Sequence, residues 1–348
     1  MESILPLKIE WKHRNHAEIL RFLRENGPKP RIEIAAHMRL TKAAVTLIIN
    51  EMLLEGILLE CGEAPPKDQS HPRGRRKILV DVNENWKLVF GAVVEQDFIW
   101  MGLTNLRGQP LDRLRIAIDG CDYRGILERI VGNVSALMKN NCISGDRVLG
   151  IGVCLSRSGA GHLDGSGLSE KLQRLKKDLS HALSLPIVTV STIGGAVSAQ
   201  CLFGRHSSEQ MLLLRYGSQI ESAMYLNGGL YRGATDQAGG FPALQQEESG
   251  TSYFHALGQE GTGDGTNREL NERLARDIAL CRTVMDPERI YCFGSYFETE
   301  NALREINRIL SPGRGAKAVV LPSVITEDTV YLAGCAAVIE KHFYCKNS

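Results

Sequence analysis

The chain has 348 residues, 43% of them hydrophobic and 23% charged, which is the composition of an ordinary globular protein rather than a disordered or collagen-like one. At roughly 100–200 residues per domain the length implies two or three domains and removes any need for disulfide staples. No apolar run reaches the about 18 residues of a membrane span, and Glu2 is followed by no sustained apolar stretch. The expected location is therefore the cytoplasm, with no membrane partner. The formal net charge is +1, but it is uneven: residues 1–80 hold 14 Lys/Arg against 10 Asp/Glu, giving +4, and the remainder carries −3. Nine cysteines include no C-x-x-C pair and read as reduced, mostly buried small hydrophobes.

In chain order, the basic N-terminal stretch reads as three helices and a hairpin. His16 to Asn26 places Ile19, Leu20, Phe22 and Leu23 on one face and stops at Gly27-Pro28, where a left-handed cap and a missing amide end a helix. Arg31 to Met38 fits a second helix. A third starts behind Thr41, a good N-cap, and spaces Val45, Ile48, Ile49, Met52 and Leu53 at three and four residues before Gly56. The strand Ile57 to Cys61, a Pro/Lys/Ser stretch, the basic run Arg73-Gly74-Arg75-Arg76 and the strand Lys77 to Val82 complete the outline of a winged helix-turn-helix. The short turn Arg39-Leu40 presents the third helix N-terminus first. Arg31, Thr41, Lys42, Ala43 and Thr46 are therefore expected at bases or phosphates, and Arg73, Arg75 and Arg76 at phosphates or a narrow minor groove. A protein-binding helical unit and a solvated basic linker are the alternatives.

Beyond residue 82 the pattern changes to α/β. Leu88 to Val94, Phe98 to Thr104 and Arg113 to Ile118 are strand candidates, followed by a helix from Tyr123 to Lys139 and a buried strand from Val148 to Leu155. A helix near Ser169 to Leu183, the strand Ile187 to Val190 and a small-residue helix from Gly194 to Leu202 come next. Met211 to Tyr216 and Ser222 to Leu226 restart the same strand-strand order, as a duplicated α/β domain should.

Specific runs resemble the ROK family (repressor, open reading frame, kinase). At the N-terminus these are Asn15 to Leu20, Gly27-Pro28, Arg31 to Ala35, Leu40 to Thr46, Leu54 to Ile57 and Gly74-Arg75-Arg76. In the body they are Gly150 to Val153, Leu185 to Val190, Leu226 to Ala234, Ala238-Gly239, Met285 to Ile290 and Gly334 to Ala337, so the resemblance spans essentially the whole chain. It implies an N-terminal winged helix-turn-helix (α+β) followed by an α/β actin-like ATPase (ribonuclease H-like) domain of two lobes. The implied boundaries are 1–82 for the winged unit with its basic wing, 83–190 for the N-lobe and 191–348 for the C-lobe, with a return of the C-terminal helix to the N-lobe left open. The family's regulators repress genes of sugar uptake and metabolism and assemble as dimers or dimers of dimers.

Against the family's kinases the body departs at each chemical position. The base of a ROK kinase is the Asp of a Glu-Asn-Asp-Ala-Asn-like run; the matching run is Ser191-Thr192-Ile193-Gly194-Gly195, and Ile193 takes no proton. The first phosphate turn, Gly-x-Asp-x-Gly in the family, reads Gly91-Ala92-Val93-Val94-Glu95 and loses the acid and the closing glycine, and the second reads Gly217-Ser218-Gln219-Ile220-Glu221, whose glutamate would repel a triphosphate. The Glu-x-Gly-His run is matched by Gly240-Phe241-Pro242-Ala243, and Glu248 to Gly261 contains no cysteine, so His255 alone cannot build a zinc site. Gly261-Thr262-Gly263-Asp264-Gly265 has no strand leading into it and reads as a surface loop.

The reading is a sequence-specific DNA-binding regulator, a repressor of carbohydrate uptake or metabolism genes, with no catalytic residue, metal or cofactor. Its kinase-like domain then serves oligomerisation and effector sensing. The alternative is an ATP-dependent sugar kinase with an attached DNA-binding domain. Expected partners are double-stranded DNA with a palindromic operator, a second copy in a homodimer or homotetramer, and a sugar derivative or protein effector. Arg157, Thr192 and Ser218 are the candidate ligand residues, offering a cation and hydroxyls suited to a phosphorylated or acidic sugar derivative.

Overall fold

The computed structural model describes residues 4–63, 77–157, 159–163, 167–204, 210–216, 220–234, 238, 268–298, 300–311 and 319–344. Its first helix, α1 (Ile4–Asn26), starts well before His16, and it ends where Gly27 turns to φ +71° and its amide donates to the Leu23 carbonyl at 2.8 Å. A two-residue strand, β1 (Lys29–Pro30), leads into α2 (Arg31–Met38). Arg39 then takes the left-handed conformation at φ 53°, and Thr41 caps α3 (Lys42–Leu54) by accepting from the Ala44 amide at 3.2 Å. Val45, Ile49 and Met52 of α3 are buried in one core with Ile19, Leu23 and Ile34. The hairpin strands β2 (Leu58–Glu63) and β3 (Ile78–Val82) pair antiparallel, in the sheet order β1-β3-β2. Arg73, Arg75 and Arg76 lie outside the described residues, between these two strands.

Two five-stranded sheets of like design follow. The first holds β4 (Leu88–Val94), β5 (Phe98–Thr104), β6 (Pro110–Ala117), β7 (Val148–Leu155) and β8 (Ile187–Ser191) in the order β6-β5-β4-β7-β8. β4, β5 and β6 form an antiparallel meander, and β7 and β8 run parallel to β4. Helices α4 (Tyr123–Asn140) and α5 (Leu168–Ala182) connect its strands and bury Ile126, Ile130, Val134, Leu175 and Leu179 against one face. After α6 (Thr192–Phe203) the second sheet repeats the plan. It contains β9 (Gln210–Tyr216), β10 (Ile220–Leu226), β11 (Gly229–Tyr231), β12 (Arg289–Phe293) and β13 (Val320–Pro322), ordered β11-β10-β9-β12-β13, with β12 parallel to β9. Helices α7 (Arg268–Met285) and α8 (Glu300–Leu310) cover it. The strand-strand-strand then helix-strand order read from the sequence is present twice. β6 starts earlier than Arg113 and α6 at Thr192 rather than Gly194, because Ser191, not Ile193, caps that helix.

The last elements tie the chain together. Every residue of α9 (Leu332–Ile339) is buried, and the helix lies across β4, β7 and α6 before a π turn, Glu340–Tyr344, carries the chain to α1. Only glycine permits so close a seat: a Cβ on Gly152 would stand 1.9 Å from the Gly334 carbonyl oxygen, and one on Gly91 2.0 Å from that of Tyr331. Among the described cysteines Cys154, Cys292 and Cys335 are buried as expected, but Cys61 and Cys142 are exposed, because β2 and the turn after α4 have solvent on that side. The Gly261 to Gly265 loop lies outside the described residues.

Gly152→Ala is expected to cost about 3 kcal/mol or more, the upper range for overpacking, because the obstruction is backbone. Gly132→Ala, on α4 with open space around the new methyl, should instead gain about 0.5–1 kcal/mol. Urea unfolding of both variants measures the contrast.

Candidate functional site

Two places carry unexplained chemistry: the outer face of α3 and the space between the sheets. On α3 the buried stripe at Val45, Ile49 and Met52 leaves Ala43, Leu47 and Asn50 exposed on the opposite side and Lys42 exposed at the first turn, and Leu47 is 72% exposed. Of the residues chosen from sequence, Lys42 and Ala43 are open. Thr41 is committed to its cap, and the half-buried Thr46 donates its hydroxyl to the Lys42 carbonyl at 2.7 Å. Arg31 is held by Asn50 at 3.2 Å and by Glu60 of β2 at 3.1 Å, so it joins helix to hairpin. Leu47 and the exposed Arg39 escaped the sequence reading, although Leu47 stands off the apolar stripe, which is a legible sign of an outward residue.

Between the sheets, the inner ends of β4, β9 and β10 meet on one guanidinium. Arg215 of β9, 2% exposed, contacts Glu95 at 3.0 Å, Glu221 of β10 at 3.2 Å and Glu327 at 2.8 Å, with a second bond from Nε to Glu327 at 3.1 Å. Glu95 and Glu221 are the glutamates that end the two matched phosphate turns. Rather than facing each other bare, they are neutralised by the protein's own cation. Burial pushes the Glu95 carboxyl up, Arg215 opposes this, Glu221 and Glu327 add to it, and the result lies above the ordinary carboxylate range. Burial would lower the Arg215 guanidinium, but Glu95, Glu327 and Glu221 together hold it above its usual value.

Beside this cluster lies a cavity of about 320 Å³, bounded by α5, β8, the start of α6, β10 and β11. Arg157 lines it, as expected from sequence. Thr192 does not, because it is fully buried at the first turn of α6. Ser218 lies outside the described residues. Ile193 lines the wall with no titratable group, and Lys176, Arg232 and Lys341, which the sequence did not single out, contribute further cations. Among the described residues no group of three His, Cys, Asp or Glu could hold a metal ion. His255 and the runs 240–243 and 248–261 fall outside them. No described helix is long and apolar enough to cross a membrane.

A duplicated sheet, a cleft between the halves and a seat for the C-terminal helix define the two-lobed kinase fold, here preceded by a helical unit. No family model matches the chain. A ROK family transcriptional regulator, homolog of the E. coli MLC protein, superposes with a TM-score of 0.70 at 16% identity, over 96% of this chain and 97% of that one. A ROK family glucokinase from Streptomyces griseus, solved with glucose and AMPPNP, gives 0.53 at 16% identity over 73% of this chain and 99% of its own. The xylose repressor of Caldicellulosiruptor bescii is 22% identical over 235 residues, 66% of this chain and 57% of the relative, so the chain spans less than two thirds of that relative's length. The chain therefore shares the fold of ROK family proteins and is similar in sequence to curated xylose repressors.

Arg215→Met should destabilise by about 3–5 kcal/mol, since it strands the buried carboxylates of Glu95 and Glu221 and frees the partly exposed Glu327. Glu95 keeps its proton to higher pH when folded than when unfolded. Its contribution to stability is therefore fully present below the unfolded value and lost as pH rises through the raised folded one. Glu95→Gln should flatten that fall, which unfolding curves of both proteins across the mildly acidic range will measure.

Proposed function

We propose that the protein is a sequence-specific DNA-binding regulator, a repressor of carbohydrate uptake or metabolism genes, and that its two-lobed body no longer transfers phosphoryl groups. The observation that carries this is the outward face of α3. A capped helix presents Lys42, Ala43 and Leu47 to solvent and packs on the hairpin strand β2, as the reading helix of a winged helix-turn-helix does. The wing arginines Arg73, Arg75 and Arg76 would add phosphate or minor-groove contacts, and a two-fold assembly would match a palindromic operator. The regulator that superposes over nearly the whole chain and the relative named xylose repressor support this reading.

A kinase reading draws on the fold alone. Against it stand Ile193 on the cavity wall, where the resemblance calls for a proton acceptor, and a phosphate cradle filled by Arg215 and three glutamates. General-base catalysis is worth about 10²–10⁴ in rate, so no turnover above background is expected over a sugar panel with ATP and magnesium.

DNA selected from a random pool supplies the operator for the direct test. Lys42→Ala is expected to weaken binding on all sequences and reduce the salt slope by about 1, and Arg75→Ala with Arg76→Ala to reduce it further. Leu47→Ala should leave the slope unchanged and cost about 1 kcal/mol of preference for the selected site, the low end of base-edge contacts. Parent-like binding by all three at two salt concentrations overturns the reading.

A further inference from the structure

Facing away from the buried stripe, α3 carries Ala43, Leu47, Asn50 and Leu54, which fall on one line at spacings of four, three and four residues. Three of these four side chains are apolar, with Leu47 72% and Leu54 90% exposed, and neither leucine belongs to the core that holds Val45, Ile49 and Met52. The polar groups around the line are already engaged. Thr41 accepts from the Ala44 amide, and Thr46 donates to the Lys42 carbonyl. Asn50 Oδ1 accepts from Arg31 at 3.2 Å, and the same guanidinium nitrogen reaches Glu60 of β2 at 3.1 Å, which draws the carboxamide toward the hairpin. An asparagine reads adenine by donating and accepting at once, and that contact needs both ends of the carboxamide free. What α3 offers outward for telling one base pair from another is therefore mainly hydrocarbon.

Charge selects the occupant of this line. Lys42 opens α3 and Arg39 stands in the turn before it; both are exposed, and neither meets a carboxylate among the described residues. Residues 1–80 also carry the chain's basic excess. An apolar line bordered by free cations suits a polyanion with hydrocarbon on its edge better than an uncharged protein surface. The one methyl group displayed in the major groove of DNA is that of thymine. Ala43 and Leu47 lie one turn apart, about 6 Å along the axis, at the end of α3 that a reading helix inserts, whereas Leu54 stands about 10 Å further on in the last turn.

We propose that Leu47, with Ala43 beside it, reads thymine through its 5-methyl group, so that the operator is specified in the major groove by methyl contacts rather than by paired hydrogen bonds. The inference rests on the DNA-binding reading and names what that surface recognises.

The test binds the full chain to the DNA it selects from a random pool, and to copies in which each thymine of a half-site is replaced in turn by uracil, which keeps the base pair and lacks only the methyl. At one or two thymines the replacement is expected to raise the dissociation constant about fourfold, the worth of one buried hydrocarbon group, with the salt slope unchanged. Leu47→Ala should start from weaker binding and lose nothing further at the thymine that Leu47 reads, while Leu54→Ala keeps the parent's response. Because both leucines are exposed, neither truncation should move the unfolding midpoint. A selected half-site without thymine, uracil DNA bound like thymine DNA at every position, or a Leu47→Ala protein that still loses fourfold at each position where the parent does overturns the inference and leaves the regulator reading standing. So does a change in the sedimentation of the free protein on Leu47→Ala, which would give the line to a second copy of the chain. A full chain that selects no DNA overturns the regulator reading and the inference with it.

Discussion

The position of the two lobes hangs on one buried guanidinium. Arg215 comes from the second sheet, yet one of its three carboxylates, Glu95, belongs to the first, and of the four charges only Glu327 keeps partial access to water. Removing one partner from this cluster would leave buried charge uncompensated, which is strongly destabilising. The same cluster sits where the matched phosphate turns converge. One set of ion pairs thus joins residues of the two sheets at Glu95 and Glu221, the ends of the two matched runs.

Around that clasp the molecule is assembled in a chain of contacts. α9 lies on the first sheet and against α6, the π turn extends it to α1, and Trp86 anchors the turn from the strand side by donating its indole N–H to the Glu55 carbonyl at 2.9 Å. The N-terminal unit is therefore packed on the body through Phe343 and Tyr344, not merely tethered by the backbone between β3 and β4.

Much of this was legible in the sequence. Thr41 as a cap, the Val45, Ile49 and Met52 stripe and the runs from Leu88 to Thr104 have local causes, namely side-chain capping and hydrophobic period, and the structure repeats them closely. The candidate site was less legible, for a physical reason. Glu95, Arg215, Glu221 and Glu327 are scattered over more than two hundred residues, and nothing local marks them as a set, so Glu95 reads only as a lost glycine and Glu221 as bare repulsion without the arginine that neutralises them. Lys176 and Lys341 likewise look like ordinary surface lysines until α5 and the π turn bring them to one wall. Thr192 misled in the other direction: its hydroxyl suggested a ligand contact, but helix α6 begins two residues earlier than Gly194 and buries it.

The seat of α9 on Gly91 and Gly152 has a mechanical consequence. Side chains between a helix and a sheet act as compliant padding that absorbs small displacements by changing rotamer, and here, at two points, backbone meets backbone with no padding at all. Such a joint is stiff in compression and indifferent to sequence details elsewhere on the helix. A disturbance at one end of α9 is therefore delivered to the other nearly undiminished, or the helix shifts as a whole by a discrete step.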